Sequence, residues 1–466
     1  MTKIKLGETL DKLKQAHSKE GTPNILLRHD RLERAKKLLV ENRDALIAAI
    51  NQDFGHRNAY QTLASDIMAT VGTLTAAQTH LAEWIKPEEV SNDYEGMYTE
   101  IQYQPLGVVG IISPWNFPLN LAFAPLAGVF AAGNTAMLKP SEFTPKTSAL
   151  IAELVPQYFS DTELSVVTGD TEVGVAFSGL AFDHLVFTGS TNVGRQVMRA
   201  AAENLVPVTL ELGGKSPVIV RDDFDLKTAV ERIITIKTFN SGQICVSPDY
   251  VLLPQELQLD FAEHAKVFAQ NSFATFFDNE DYTSIVNERH FERLLNLVED
   301  AKAKGATIIA LNSEECYYDK TQRKIAPMIL LNATDDMKIM QEEIFGPLLP
   351  VKSYTTFEEA IAYINMHPHP LAAYYFGRDE ADQQQFAVQT TSGSLVINDV
   401  MSHMMVDNLP FGGVGASGMG AYHGIHGFRR FSHAKAFVKQ NEQGESNLRL
   451  RAPYAEKLAA METLFK

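Results

Sequence analysis

Cysteine is scarce in this chain of 466 residues, which contains only Cys245 and Cys316. Two cysteines in so long a chain exclude a disulfide framework, and their dissimilar surroundings do not favour a bond between them. A reducing, cytoplasmic location therefore fits the composition. The N-terminal segment is charged and has no apolar core, so we do not expect a secretory signal.

Long apolar runs and an excess of positive charge are also missing. The longest apolar stretch, residues 121–133, is too short to span a bilayer and contains Pro125, so no membrane partner is expected. Acidic residues outnumber basic ones by 57 to 41, which gives a formal net charge of −16. Because such a surface repels phosphate backbones, nucleic acid is not expected as a partner either.

Short β-rich runs alternate with helical segments from residue 108 onward. Examples of the β-rich runs are VVGIIS (108–113), AMLKP (136–140) and HLVFTG (184–189). This alternation predicts an α/β protein with a parallel sheet and crossover helices. Before it, residues 30–52 have apolar side chains at helical spacing, which predicts one amphipathic helix. We expect two interleaved α/β domains, with a small β element formed by residues 95–105 and 434–440.

Two segments have residues suited to nucleophilic and base chemistry. Small and polar residues surround Cys245 in NSGQICVSPDY, whereas a structural cysteine normally lies among aliphatic residues. A thiolate nucleophile needs such an open, polar setting, so a catalytic role is favoured over a structural one. In LELGGKSP, Glu211 ends a hydrophobic strand beside Gly213 and Gly214. It either faces solvent or lines a cleft, where partial burial would raise its pKa and suit it to general-base work.

Polar side chains also follow the first two strands of the predicted sheet. Asn116, in PWNFP, comes directly after VVGIIS, at the strand end where open α/β sheets bind ligands. Its amide is a candidate oxyanion donor, and the alternative is an ordinary turn asparagine. Lys139 and Glu142, in AMLKPSE, follow the next strand and could hold a ribose, because the ammonium donates to hydroxyls and the carboxylate accepts from them.

A glycine-containing turn precedes the helix that begins near residue 192. Gly189, Ser190 and Gly194, in FTGSTNVG, would expose backbone N–H groups at the start of that helix, which favours a phosphate. A plain turn with an N-cap explains these residues nearly as well. The segment HPHP (367–370) has two histidines, but prolines force a loop and no cysteine or carboxylate cluster accompanies it, so no metal site is predicted.

The order of the motifs is more specific than any one motif. PWNFP, LKPSE, FTGST, ELGGK, NSGQIC, EEIFGP and PFGGVGASG occur in this order along the chain. In this order they resemble the signature segments of the aldehyde dehydrogenase superfamily, and the resemblance runs from about residue 30 to about residue 440. CVSPDYVL and GMGAYHG resemble its class 3 branch, and GMGAYHGIHGFRRFSH is similar to the corresponding segment of coniferyl aldehyde dehydrogenases.

The resemblance implies an aldehyde dehydrogenase-like fold, which combines a parallel-sheet dinucleotide-binding domain, an α/β catalytic domain and a small β oligomerisation element. Residues 1–94 and 107–212 would form the dinucleotide-binding domain, and residues 213–432 the catalytic domain. Residues 95–106 and 433–445 would form the oligomerisation strands, which by family likeness join two copies into a homodimer.

The resemblance also implies NAD(P)-dependent oxidation of a small-molecule aldehyde to the carboxylic acid. Cys245 would attack the carbonyl carbon, and the Asn116 amide and the Cys245 N–H would bind the oxyanion. Glu211 would activate the water that hydrolyses the thioester. The implied cofactor-binding residues are Trp115, Lys139, Glu142, Gly189, Ser190, Gly194, Glu343 and Phe345. A carboxylate at Glu142 should repel a 2′-phosphate and favour NAD, although class 3 members can accept NADP.

For the substrate, the resemblance implies a pocket that contains Leu121, Ala124, His403 and Phe411, with the loop of residues 400–405. No arginine is among them, so an aldehyde with a distal carboxylate is not expected. The small Ala124 and the methionine-rich loop favour an aromatic aldehyde of the coniferyl or cinnamic type, or a medium-chain aliphatic one. Two alternatives are a coenzyme A-acylating aldehyde dehydrogenase, which Glu211 disfavours, and a non-catalytic binding or structural protein on the same fold.

Overall fold

The computed structural model describes residues 3–444 and 447–465, so residues 1, 2 and 445 of the predicted domain ranges lie outside the described residues. The helices, in chain order, are α1 (Lys3–Glu20), α2 (Ile25–Glu41), α3 (Arg43–Phe54), α4 (Ala59–Thr62), α5 (Ala69–Trp84), α6 (Asn120–Ala132), α7 (Pro145–Tyr158), α8 (Thr171–Ser178), α9 (Thr191–Ala202), α10 (Leu226–Thr238), α11 (Gln258–Ser272), α12 (Glu288–Ala303), α13 (Lys338–Gln341), α14 (Phe357–Asn365), α15 (Glu380–Gln389), α16 (Gly424–Arg430) and α17 (Ala455–Thr463). Among these helices, none is long and apolar enough to cross a membrane.

Strands and short irregular helices complete the described secondary structure. The strands, in chain order, are β1 (Glu88–Glu89), β2 (Met97–Pro105), β3 (Val108–Ile112), β4 (Thr135–Lys139), β5 (Leu164–Val166), β6 (His184–Thr188), β7 (Val208–Glu211), β8 (Pro217–Val220), β9 (Tyr250–Pro254), β10 (Thr307–Ala310), β11 (Tyr318–Asp319), β12 (Lys324–Ile325), β13 (Met328–Leu331), β14 (Leu348–Tyr354), β15 (Ala372–Phe376), β16 (Ser394–Ile397), β17 (Gly418–Met419) and β18 (Ser432–Gln440). A π-helical segment covers Leu63–Met68, and 3₁₀ turns cover Phe239–Gly242, Gln255–Leu257, Ser402–Met405, Gly415–Ser417 and Leu448–Leu450.

The first large sheet contains six strands in the order β17-β7-β6-β3-β4-β5. Strands β3 to β7 pair in parallel, and β17 pairs antiparallel with β7. Nearly every residue of these parallel strands is buried, as expected for strands covered by helices on both faces of the sheet. The predicted parallel sheet with crossover helices is therefore confirmed.

The second large sheet contains seven strands in the order β10-β13-β14-β9-β8-β15-β16. All of its pairs are parallel except β10 with β13. The chain leaves the carboxyl end of β7 at Glu211 and enters β8 at Pro217. Because this connection is so short, the loops after the first sheet's strands face the loops before β9 and β14 of the second sheet.

A small third sheet has the order β1-β2-β18. Strands β2 and β18 pair antiparallel along their full length, from Met97 opposite Gln440 to Pro105 opposite Ser432. The predicted pairing of residues 95–105 with residues 434–440 is therefore confirmed.

The single helix predicted over residues 30–52 is wrong. The chain forms α2 and α3 instead, and the two helices meet at Asn42, which has non-helical φ and ψ values of −110° and 15°. The Asn42 amide donates to the carbonyl of Leu38 over 2.9 Å and to the hydroxyl of Tyr158 over 3.0 Å. These side-chain bonds favour an interruption of the helix, because they compete with the backbone ladder.

Candidate active site

The loop before Cys245 has an unusual backbone. Asn240, Ser241 and Gly242 are all left-handed, with φ values of 49°, 52° and 68°. Two successive non-glycine residues in this region store strain, which the surrounding structure must stabilise. The turn brings the backbone N–H groups of Cys245 and Val246 toward the Cys245 sulfur. The Cys245 residue as a whole is partly exposed.

Burial dominates the electrostatics around the thiol. It raises the pKa of Cys245 to about 12, and the nearby carboxylates of Glu343 and Glu211 contribute in the same direction. Burial also raises the pKa of Glu211 well above its ordinary value. Neither carboxylate oxygen of Glu211 has a hydrogen-bond partner within residues 3–444 and 447–465. The carboxyl group is therefore close to the thiol and available to a substrate or a water.

Asn116 lies directly against the nucleophile loop. Its Nδ2 atom donates one hydrogen bond to the carbonyl of Gln243 over 3.2 Å, and a second N–H remains for a ligand. Gln243 is itself fixed, because its amide donates to the carbonyls of Asn240 and Ser284 and accepts from the N–H of Val286. The structure thus brings Asn116 together with the segment that carries Cys245.

Glu343, Phe345 and Trp115 lie at the same junction, where the Glu343 charge acts on the Cys245 thiol. The Glu343 carboxylate accepts from the Gly214 N–H, and burial raises its pKa to about 8. It occupies the space that a Cβ at Gly213 would need, which explains a glycine there. The Trp115 and Phe345 rings meet edge to face at 5.4 Å. These side chains come from two loops that are distant in the sequence, and the ring contact joins the two loops.

Lys139 is the last residue of β4, and it pairs with Glu142, which lies three residues further along the chain. The Lys139 Nζ atom donates to Glu142 Oε2 over 2.8 Å, and Glu142 Oε1 accepts from the Thr171 hydroxyl over 3.2 Å. Burial is the largest influence and opposes ionisation of Glu142, but the hydrogen bonds from Lys139, Thr171 and the backbone, together with the Lys139 charge, outweigh it, so the net pKa lies below the ordinary value. An ammonium and an ionised carboxylate are therefore held side by side at the strand end.

The N-terminus of α9 lies at the end of β6, which is separated from β4 by β3 in the first sheet. Ser190 caps this helix, because its Oγ atom accepts from the N–H of Val193. The first N–H groups of a helix have no partner within the helix and attract anions. A Cβ at Gly194 would lie 2.7 Å from the Leu212 side chain, so glycine lets α9 lie close against the sheet. Hydroxyl-binding groups at Lys139 and Glu142 beside an anion-binding helix end fit a dinucleotide.

Four rings form an aromatic cluster beside the catalytic candidates. The Phe411 ring stacks between His403, at 6.1 Å, and His423, at 4.8 Å. Tyr422 meets both Phe411 and His423 edge on, at interplanar angles of 89°. The charges of Glu211 and Cys245 raise the pKa of Tyr422 beyond the effect of its burial, so the cluster adjoins the thiol.

The remaining predicted pocket residues, Leu121 and Ala124, lie on α6 and are buried. Their spacing of three places them on the same face of this helix. Gly128, further along α6, comes so close to Gly427 of α16 that a Cβ would lie 2.8 Å from its carbonyl carbon. Because α16 begins directly after His423, α6 and the aromatic cluster belong to one packed unit.

Several residues of the site were not singled out by the motifs. They are Arg57, Asp66, Gln243, His290, Tyr422 and His423. Tyr422 and His423 lie within GMGAYHG, so that segment was the signal that could have identified them. The His290 ring lies 5.3 Å from Trp115 and 6.1 Å from Phe143, and its Nε2 atom is buried without a partner in the described part of the chain. No local pattern in the sequence marks His290.

The combined geometry is typical of a dinucleotide-dependent enzyme that forms a covalent bond to a carbonyl substrate. A partly exposed cysteine, a buried carboxyl group with no partner among the described residues and an amide with a remaining N–H meet at the junction of two largely parallel sheets. The Lys139–Glu142 pair and the N-terminus of α9, which fit a dinucleotide, lie at strand ends of the same first sheet. In open α/β folds, ligands bind at this kind of strand-end junction.

Comparison with known proteins gives the family. The model of the aldehyde dehydrogenase family matches residues 8–437. The coniferyl aldehyde dehydrogenase of Pseudomonas sp. (strain HR199 / DSM 7063) is 54% identical over 452 residues, which are 97% of this chain and 94% of that protein. The chain belongs to the aldehyde dehydrogenase family, and it is an NAD(P)-dependent aldehyde dehydrogenase. The alternative of a non-catalytic protein is therefore set aside.

Solved structures agree with this assignment. The substrate-bound state of Staphylococcus aureus AldH has a TM-score of 0.93 and 36% identity, and the match covers 100% of both chains. The indole-3-acetaldehyde dehydrogenase AldA of P. syringae, solved with NAD+ and IAA, has a TM-score of 0.86 and 26% identity, with 94% of this chain and 89% of that chain covered. The predicted aldehyde dehydrogenase-like fold is thus confirmed.

Proposed function

We propose that this chain oxidises aldehydes of the coniferyl or cinnamic type to carboxylic acids through a thioester on Cys245. The observation that carries the proposal is the buried Glu211 carboxyl group, which has no partner among the described residues and lies within electrostatic reach of the thiol. A water that enters beside Glu211 would find a base whose pKa is raised, and such a base accepts protons more readily than an exposed carboxylate.

Cys245, Asn116 and Glu211 have separate roles in the proposed reaction. Cys245 Sγ loses its proton to a water and adds to the carbonyl carbon as the thiolate, and the oxyanion accepts from the free Asn116 N–H and the backbone N–H of Cys245. Bound NAD(P) supplies the acceptor for the aldehyde hydride. Once the hydride has left, a thioester remains on Cys245. Glu211 then takes a proton from the attacking water, and the tetrahedral intermediate expels the Cys245 thiolate and releases the acid.

The cofactor assignment rests on the cleft beside the first sheet. We place the dinucleotide-binding domain at residues 1–94 and 107–212 and the catalytic domain at residues 213–432. The cofactor-binding residues are Trp115, Lys139, Glu142, Gly189, Ser190, Gly194, Glu343 and Phe345. NAD is the preferred cofactor, because the ionised Glu142 would repel a 2′-phosphate. The test measures kcat/KM with NAD and with NADP for the unmodified chain and for Glu142→Gln. We expect the unmodified chain to prefer NAD, and the substitution to reduce the difference between the two cofactors.

The substrate assignment rests on the aromatic cluster. Its flat rings suit an aromatic aldehyde, and one relative is named coniferyl aldehyde dehydrogenase. Burial lowers the pKa of both His403 and His423 to about 4, so the imidazoles are neutral near pH 7. Both ring nitrogens of His403 are buried and lack a partner in the described residues. A phenolic hydroxyl on the substrate ring would satisfy one of them.

The experiment compares NADH formation from coniferaldehyde, cinnamaldehyde, benzaldehyde, hexanal and succinic semialdehyde. Coniferaldehyde should have the highest kcat/KM and succinic semialdehyde the lowest. Replacing His403 with phenylalanine keeps the ring stack, and we expect it to lower the preference for coniferaldehyde over cinnamaldehyde by about tenfold or less, the value of one neutral hydrogen bond. The ratio of kcat/KM for hexanal to kcat/KM for cinnamaldehyde is the internal control, and it should be the same in the variant and the unmodified chain.

Two variants test the chemistry itself. Cys245→Ala should abolish NADH formation, whereas Cys316→Ala, which removes the exposed cysteine, should leave it unchanged. Full activity in Cys245→Ala would contradict the thioester mechanism. A requirement for coenzyme A in NADH formation would contradict hydrolysis by a water that Glu211 activates, and would favour the acylating alternative.

The third sheet supports a homodimer. In the sheet order, β18 pairs only with β2, so within the described residues its other edge has no strand partner. An exposed edge of this length is a template for pairing with a second copy. We therefore retain the oligomerisation role of residues 95–106 and 433–445, and a reducing cytoplasmic location, which the two free cysteines support.

A further inference from the structure

A buried ion pair lies behind the loop that carries Asn116. Arg57 Nη2 donates to Asp66 Oδ2 over 2.9 Å, and neither side chain has exposed surface. Desolvation makes such a pair a weak source of stability, and it persists only where further hydrogen bonds satisfy both groups. The partners of these further bonds indicate what the pair does.

Both members of the pair bind the backbone of residues 116–120. Arg57 Nη1 donates to the carbonyl of Asn116 over 3.0 Å. Asp66 Oδ1 accepts from the N–H groups of Leu119 and Asn120 over 3.0 and 3.2 Å. The loop is therefore fixed at its start, where Asn116 lies, and at its end, where α6 begins. A carboxylate at a helix N-terminus is also favoured by the helix dipole.

The pair itself is held rigidly. The Arg57 guanidinium lies between the rings of Phe54 and Phe117, at 5.1 and 5.0 Å from their centroids. Asp66 belongs to the π-helical segment Leu63–Met68, an uncommon conformation that is frequent at functional sites. A guanidinium has five N–H donors in a planar fork, so it binds Asp66 and the Asn116 carbonyl at one fixed angle.

The nucleophile loop completes the surroundings of Asn116. Asn240 Nδ2 donates to the Asn116 carbonyl and to the Gln243 carbonyl, both over 3.2 Å. The Asn116 side chain in turn donates to Gln243. The backbone of Asn116 is therefore held by Arg57 on one side and by the loop of Cys245 on the other, and its side-chain amide has one remaining N–H.

We infer that the Arg57–Asp66 pair is a positioning device, which fixes the Asn116 amide at the place where the oxyanion forms. This inference rests on the proposed oxyanion role of Asn116. Neither Arg57 nor Asp66 needs to touch the substrate, so the pair acts on the rate of carbonyl addition and leaves aldehyde binding to the pocket. A displacement of about 1 Å at a catalytic group can slow a reaction by roughly 100-fold.

The test is a double-mutant cycle between Arg57 and Asn116. The variants are Arg57→Met, Asn116→Ala and the double variant. Two quantities are measured for each: the single-turnover rate of NADH formation and, in the steady state, the KM for the aldehyde. We expect Arg57→Met to lower the rate by about 10- to 100-fold with KM changed by less than about threefold. The double variant should be no slower than Asn116→Ala alone, because coupled residues are not additive.

Two further variants separate positioning from stability. Asp66→Asn keeps the size of the side chain and its Oδ1 acceptor, so it serves if Arg57→Met does not fold. Arg31→Met is the matched control, since Arg31 is also buried and ion-paired, to Glu20 over 2.8 Å and to Glu163 over 3.2 Å, but does not contact the Asn116 loop. We expect Arg31→Met to lower Tm without lowering the single-turnover rate.

The outcomes are distinct for the two claims. The positioning role would be overturned if the rate loss in the double variant equalled the product of the rate losses in the two single variants. It would also be overturned if both Arg57→Met and Asp66→Asn left the single-turnover rate unchanged. An unchanged rate in Asn116→Ala would instead overturn the oxyanion role on which the inference rests, whatever the Arg57 variants do.

Discussion

At the scale of single residues, burial of Glu211 opposes the ionisation that a general base needs. Its carboxyl group is buried without a partner among the described residues, and burial raises its pKa. If Glu211 serves only thioester hydrolysis, Glu211→Gln should still release about one NADH per active site in a burst. Steady-state turnover should then fall by roughly 10²- to 10⁴-fold, the usual contribution of a general base.

Rapid-mixing measurement of the burst and the steady state checks this expectation. Asn116→Ala is a suitable comparison, because loss of an oxyanion donor should slow the burst itself. Equal losses of burst and turnover in Glu211→Gln would show that Glu211 also removes the proton from the Cys245 thiol. That result is chemically reasonable, since the pKa of this thiol is raised to about 12 by its burial.

The same carboxyl group should make stability depend on pH. Because the folded pKa of Glu211 lies above the unfolded value, the folded state binds the proton more tightly. As pH rises above the unfolded pKa of about 4.3, Glu211 ionises more readily in the unfolded chain than in the folded one, and the free energy of unfolding therefore falls. Glu211→Gln should raise Tm at pH 8 and have little effect at pH 4. The exposed Glu263, replaced in the same way, should change Tm at neither pH, and an equal change in both variants would contradict the argument.

At the scale of elements, the contact of α6 with α16 joins the pocket to the third sheet. Gly128 of α6 has no room for a side chain, because a Cβ would lie 2.8 Å from the carbonyl carbon of Gly427 and 3.0 Å from the ring of Phe431. Gly128→Ala should destabilise the fold by about 1–3 kcal/mol, the usual range for overpacking. Thermal unfolding followed by circular dichroism measures this.

A second helical glycine gives a matched control for that change. At Gly72 of α5, a Cβ would have no atom of the described chain within 4 Å, so Gly72→Ala gains helix propensity without a clash. It should raise the free energy of unfolding by up to about 1 kcal/mol. The tight packing of α6 on α16 would be contradicted if both variants were stabilised equally.

The elements differ in how far the sequence could predict them. Strands β3 to β6 could be predicted, because a strand buried on both faces is a continuous apolar run. The break at Asn42 could not, since Leu39 and Leu46 continue the same apolar periodicity on both sides of it. Apolar periodicity indicates which face of a helix is buried. It does not indicate that a side chain such as that of Asn42 binds a backbone carbonyl and interrupts the helix.

The same contrast holds within the site. Lys139, Glu142, Asn116 and Glu211 could be proposed, because each follows a strand whose end was already predicted. Arg57 and Asp66 could not, because charged residues near a helix end are expected in solvent. Their burial depends on the rings of the α3 end and of the Asn116 loop, which only the tertiary structure brings together.

At the scale of the whole molecule, the two large sheets divide the reaction between them. Asn116, Glu211 and most of the proposed cofactor groups lie at the strand ends of the first sheet, whereas Cys245 and the proposed cofactor residues Glu343 and Phe345 precede strands of the second. The reacting atoms therefore meet only when both sheets hold their relative position. Positioning elements such as the Arg57–Asp66 pair act at this junction, where a small shift changes geometry without changing either sheet.

The third sheet carries the proposed contact with a second copy. Strand β18 has an edge without a partner in the described sheet, and Val438 on this strand is exposed. A surface hollow of about 430 Å³ beside it is lined by Gly96, Tyr98, Phe437, Lys439, Gln440 and Asn441. Because successive side chains of a strand point to opposite faces, Val438 and the hollow lie on the two faces beside the unpaired edge, and pairing of this edge with a second copy would bring the copy close to both.

Light scattering after size-exclusion chromatography should therefore give a mass of about twice the chain mass of 51.6 kDa. Val438→Asp should shift the protein toward the monomer, because two like charges would be buried against each other in a symmetric interface. Val267→Asp, which places the same charge on an exposed site of α11, should leave the dimer intact. A monomeric unmodified chain, or an undisturbed dimer in Val438→Asp, would show that this edge does not join the subunits.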